Sequence, residues 1–88
     1  MKIDLAHVKD PLIGWTIQAK VSVGKGERIA AVRISVNGFD VLDKKVDPPV
    51  DQWQTELSQK GQYPGENEVR ATIGDEKGSE TSAVDSWS

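Results

Sequence analysis

The chain has no cysteine and only one histidine, one methionine, one phenylalanine and one tyrosine among its 88 residues. The first absence excludes a disulfide framework and a thiolate metal site, so packing and hydrogen bonds alone hold the fold. The second leaves little room for imidazole chemistry. His7 would have to be the base of any Ser-His-Asp arrangement, and no G-x-S-x-G sequence accompanies it. It is read as a surface or edge-strand residue, and a non-enzymatic role is expected. Long apolar runs are missing too: nothing approaches the roughly 20 residues of a membrane-spanning helix. In the opening MKIDLAHVKDPLIGW, Asp4, His7, Lys9 and Asp10 interrupt any apolar core of a signal peptide. Nor does one sign of charge dominate. Eleven basic and fourteen acidic residues are mixed along the chain for a net charge of -3, which offers no basic footprint for a nucleic acid backbone.

What remains is one domain, residues 1–88, with 36% hydrophobic and 28% charged residues. A domain this small buries only about 60–65% of the surface its unfolded chain exposes, which favours a thin, two-layer core.

The apolar residues follow the period of two that places alternate side chains on one face of a strand. Trp15, Ile17, Ala19, Val21 and Val23 alternate with Thr16, Gln18, Lys20 and Ser22. Gly24 and Gly26 turn the chain, and Ala30, Val32, Ile34 and Val36 form the next inward row. Asn37-Gly38 suits the two positive-φ positions of a type I′ turn, so the chain is expected to return as a hairpin with Phe39 and Val41 in the same core. Asp47-Pro48-Pro49 is expected to end that region, because proline lacks a backbone donor and restricts the residue before it.

A new strand then carries Trp53, Thr55 and Leu57 inward and Gln52, Gln54 and Glu56 outward. After the loop SQKGQYPG, Val69, Ala71 and Ile73 alternate with Glu68, Arg70 and Thr72, and residues 75–78 supply turn chemistry with Gly78 in a left-handed position. The last strand, SETSAVDSW, can face inward through Ala83 and Trp87 or through Val84, with the first phase favoured. Ile3 and Leu5 offer one more edge strand. About seven short antiparallel strands without a helical period read as an all-β sandwich, with a small closed barrel as the structural alternative.

The order RIAAVRISVNG, Trp53, Leu57 and PGENEVRATIGDEKGSETS resembles bacterial immunoglobulin-like domains of surface proteins and secreted enzymes, over roughly residues 13–88. Its specific part is Gly65-x-Asn67-x-Val69-x-Ala71-x-Ile73-x-Asp75-x-x-Gly78, which is similar to that family's last two strands and their turn. The resemblance implies an immunoglobulin-like β-sandwich used for spacing, docking or adhesion. Trp15 on the second strand is closer to the fibronectin type III arrangement than to the disulfide-bonded antibody type.

Candidate chemistry is sparse. Asp40, Asp43, Asp47 and Asp51 crowd one connection, but their spacing does not match an EF-hand loop, and no metal or other cofactor is expected. Asp75 in a turn is expected to bond its own backbone. Gly24-Lys25-Gly26 lacks the frame of a phosphate loop and reads as a β-turn. Trp53, Tyr63 and Trp87 lie near strand ends and loops, where indoles and phenols can stack on sugar rings; the competing reading places Trp15 and Trp53 in the core.

The function expected is therefore a non-catalytic module that spaces or docks protein domains of the same or another chain. A carbohydrate-binding module using the exposed aromatics is one alternative, with polysaccharide as partner. A small autonomous protein-binding domain is another, motivated by Ile29, Ala31, Leu42 and Val50, which break the in-out alternation. An extracellular or cell-surface location is expected for a fragment of an exported protein, and a cytoplasmic one for a complete chain.

Overall fold

The computed structural model describes residues 1–10, 14–59 and 66–87. Within them are seven strands: β1 (Lys2–Asp10), β2 (Gly14–Ser22), β3 (Ile29–Val36), β4 (Phe39–Val50), β5 (Gln52–Gln59), β6 (Asn67–Asp75) and β7 (Glu80–Trp87). All pairings are antiparallel. They build a three-stranded sheet in the order β1-β2-β5 and a four-stranded sheet in the order β4-β3-β6-β7. The molecule is an all-β sandwich of two open sheets, elongated to 41 × 20 × 18 Å. Among the described residues no helix is long and apolar enough to cross a membrane.

The core lies where the central strands face each other. Ile17, Ala19 and Val21 of β2 meet Val32 and Ile34 of β3 and Val69, Ala71 and Ile73 of β6, all essentially buried. These are the rows that the alternation predicts, because a strand with one face against a second sheet must keep its apolar residues in phase. Ile3 and Leu5 of β1 and Trp53 and Leu57 of β5 pack around this centre and stay half-buried.

The turns follow their residues. Asn37 and Gly38 have φ of 51° and 85°, the left-handed values that a type I′ hairpin needs and that asparagine and glycine tolerate best. At the β6–β7 turn Gly78 has φ of 90°. There the Lys77 and Ser79 amides both donate to Asp75 Oδ1 at 2.9 Å. Asp75 thus organises its own turn.

Three expectations are corrected. Phe39 and Val41 do not join the core. Val36 pairs with Phe39 and Ser35 with Asp40, but Ile34 pairs with Leu42, so Val41 is an extra residue in a bulge. The bulge inverts the phase of β4: Leu42 packs against the core, while Phe39 at the hairpin tip is 75% exposed on a strand with no outer neighbour.

Residues 47–49 do not end this region, because β4 runs on to Val50. The ladder steps from Ala31↔Lys45 to Ile29↔Val50, which leaves residues 46–49 outside it. Prolines are tolerated there because an edge strand outside its ladder owes no hydrogen bond.

The third correction concerns β3. Against β6, Ile29 pairs with Asp75 and Ala31 with Gly74, so Ala30 is the bulged residue and Ile29 takes the buried position expected for it. Ile29 is buried, and Ala31, Leu42 and Val50 are half-buried, so none of the four apolar residues that break the alternation forms an exposed patch.

The last strand needs no such adjustment. The β6–β7 register is unbroken, with Trp87 and Ala83 inward and Val84 46% exposed.

Candidate functional site at the β1–β7 seam

The densest arrangement of polar and aromatic groups lies where β1 of one sheet packs on β7 of the other. Along β1 the inward row is Ile3, Leu5, His7; along β7 it is Ala83, Asp85, Trp87. Alternation therefore aims a histidine and a carboxylate at the interior from opposite sheets. Burying either alone is costly, and each becomes the other's partner. His7 Nδ1 and Asp85 Oδ2 are 2.5 Å apart, with about a quarter of each side chain exposed.

Two indoles complete the cluster. The His7 ring stacks on Trp87 with centroids 4.7 Å apart and planes at 22°, and meets Trp15 edge-on at 5.3 Å and 65°. Trp15 and Trp87 are themselves 5.3 Å apart. Trp15 reaches the ring because β1 and β2 pair Lys9↔Trp15 and His7↔Ile17, which makes it the diagonal neighbour of His7 on the same face. Trp87 is only 8% exposed, and its Nε1 is buried without a hydrogen-bond partner.

This arrangement clasps the two sheets. It has a base and a group to orient it, which are two of the three roles in nucleophilic catalysis. Among the described residues no hydroxyl hydrogen-bonds to the ring.

The other expected residues are dispersed. Trp53 faces inward on β5 and is half-buried. It pairs with Val21, whereas Trp15 lies six residues away at the other end of β2, about 20 Å at strand rise. Trp53 and Trp87 therefore sit at opposite ends of the sandwich. Tyr63 lies outside the described residues, as does Gly65. Asp40, Asp43, Asp47 and Asp51 are all exposed. Among the described residues no three His, Asp or Glu side chains come together as a metal would require. Gly24 to Glu27 form a turn, closed by the Glu27 amide to the Gly24 carbonyl at 3.2 Å.

Two further polar features emerge only in three dimensions. Asn37 at the hairpin tip donates through Nδ2 to Asn67 Oδ1 at 3.1 Å and accepts the Glu68 amide at 2.8 Å, tying that tip to the start of β6. Glu27 Oε1 accepts from the terminal ammonium of Met1 at 3.0 Å and from the Gly24 amide at 3.1 Å. The ammonium first, then the amide, hold its carboxyl below the usual range.

An open concavity of about 740 Å³ lies over the β1-β2-β5 sheet, away from the aromatic cluster. Its rim carries the outward side chains Asp4, Gln18, Lys20, Gln54 and Glu56, with Gln18 Nε2 donating to Glu56 Oε1 at 3.4 Å.

The inward histidine was not expected. Its signal was present in the phase it shares with Ile3 and Leu5, matched by the phase Asp85 shares with Ala83 and Trp87.

Comparison of the chain with protein-family models, curated proteins and solved structures found no match.

Proposed function

We propose that the protein is a non-catalytic immunoglobulin-like module that spaces or docks other domains, within a larger bacterial surface or secreted protein. The strand order carries this reading. β1, β2 and β5 stand where immunoglobulin-like domains have A, B and E; β3, β6 and β7 stand where they have C, F and G; β4 occupies the place beside C. Fold alone does not name a function, so the reading also leans on the site. His7 and Asp85 are spent on joining the sheets, and Trp53 and Trp87 stand too far apart to share one sugar-stacking surface.

Two measurements test it. Mass spectrometry of the native polypeptide should find these residues inside a longer exported chain. Natural ends at Met1 and Ser88 would instead favour a free-standing binder. Thermal unfolding should be unmoved by a calcium salt or by soluble glycans, because a ligand that binds only the native state raises its melting temperature. A glycan-dependent rise would replace the spacer reading with the carbohydrate-binding one.

A further inference from the structure

We propose that the free edge of β5 accepts one extended strand from a partner polypeptide, completing the β1-β2-β5 sheet as its fourth strand. This deepens the docking reading and rests on it.

The sheets have unequal widths. β1 and β7 lie together at one flank. At the other, β4 ends at Val50 and β5 begins at Gln52, so these two strands also share a flank. Three strands at a spacing of about 4.8 Å span one interval less than four, so β4 projects about one strand beyond β5. Leu42, Val46 and Val50 on β4 and Trp53 and Leu57 on β5 reach the core but stay half-buried, as Ile3 and Leu5 do on β1, and so leave apolar surface at this flank for an added strand to cover.

The backbone at this flank is open on β5 and blocked on β4. β4 carries the Val41 bulge, Pro48 and Pro49 outside the ladder, and Lys44 and Lys45, all devices that discourage edge pairing. β5 has none of them. Its ladder with β2 runs from Trp15↔Gln59 to Ser22↔Gln52 without a shift, and residues 52–59 contain no proline, glycine or basic residue. Its outer side is unpaired among the described residues.

A second copy does not fit. Joining β5 to β5 with the sheets in line would bring the partner's four-stranded sheet into the space that β4 already fills. A single strand does fit, because it lies over β4 and adds nothing beneath.

The occupant's chemistry follows from the faces. Its inward side chains, at alternate positions, meet Leu57 and Trp53 above and Leu42 above β4, so they are apolar. Its outward side chains stand beside Gln52, Gln54, Glu56 and Ser58. Glu56 is the one charge in that row, so a lysine or arginine belongs opposite it.

The probe is the capped peptide Thr-Val-Thr-Val-Lys-Val-Thr-Val-Thr, titrated into the whole chain and read by residue-resolved hydrogen exchange. Protection is expected at alternate amides within residues 52–59, and none is expected from the same peptide N-methylated along its pairing edge. Glu56→Lys, a surface change, should weaken binding several-fold, and a peptide with Glu in place of its Lys should restore it. No protection of β5, protection of β4 instead, or indifference to the charge exchange overturns the proposal. The docking reading fails separately, through glycan-dependent melting or natural chain ends, whatever the β5 amides show.

Discussion

The two flanks of this sandwich are built on opposite plans. At the β1–β7 flank an imidazole, a carboxylate and two indoles reach across from both sheets and close the seam. At the β4–β5 flank the sheets are unequal in width, and the unpaired edge of β5 stands over β4 without a side-chain cluster to close it. A sheet edge is a hazard unless it is covered, charged or interrupted. Here β4 is interrupted by its bulge, prolines and lysines, and β1 and β7 pack on each other across the sheets, whereas β5 has neither feature. The contrast marks β5 as the strand at which another chain is accommodated.

Substitutions can sharpen this comparison or break it. The largest effect is expected from Trp87→Ala, which removes the buried indole from the closed flank and should cost about 3–5 kcal/mol in denaturant unfolding. Trp87→Phe should cost less, because it keeps a stacking ring and removes the buried Nε1 that lacks a partner. Trp53→Ala, the same change on the open flank, should cost about half as much as Trp87→Ala, since Trp53 is already part-exposed. Equal losses at both tryptophans would abolish the distinction between the flanks.

Next in size is the pairing across the seam. His7→Ala and Asp85→Ala should each destabilise by about 1–3 kcal/mol, and the double variant should cost less than their sum. Strict additivity in that cycle would mean that the pair does not join the sheets.

The smallest effect is expected far from either flank. In the 88-residue chain, whose Met1 amine is free, Glu27 titrates below the ordinary carboxylate range because the Met1 ammonium and the Gly24 amide favour its charged form. Its folded value is depressed, so its contribution is present above the ordinary range and is lost as pH falls through the depressed value. Glu27→Gln should slightly flatten the acid side of a melting-temperature profile. A profile identical to that of the parent chain would remove this contact from the account.

Much of this was legible in the sequence, and the misses fall where strand pairing departs from regular alternation or joins distant residues. The rows through Ile17, Val32, Ile34, Val69 and Ile73 were legible because a period of two survives wherever both neighbours hold a strand in register. Asn37-Gly38 and Gly78 were legible because positive φ selects its residues. Val41 and Ala30 were misassigned because a bulge shifts the phase by one residue and leaves no local mark, and Phe39 because it sits at the exposed tip of an edge strand although it pairs with Val36. The run through Pro48 and Pro49 was misread because proline forbids a place in a ladder, not a place on an edge strand outside one. The site residues divide likewise: inward phase was readable for His7 and Asp85, but their separation of 78 positions in sequence made their meeting invisible.

By itself, then, the sequence determined the all-β class, the turns and the inward rows, because these depend on side-chain periodicity and backbone sterics within a few residues. Only the tertiary structure decided which strands became edges, where the bulges fell, that His7 meets Asp85 and that β5 was left bare. Those are long-range matters of which sheet each strand joins, and they are set by the packing of the whole core against the loss of chain entropy.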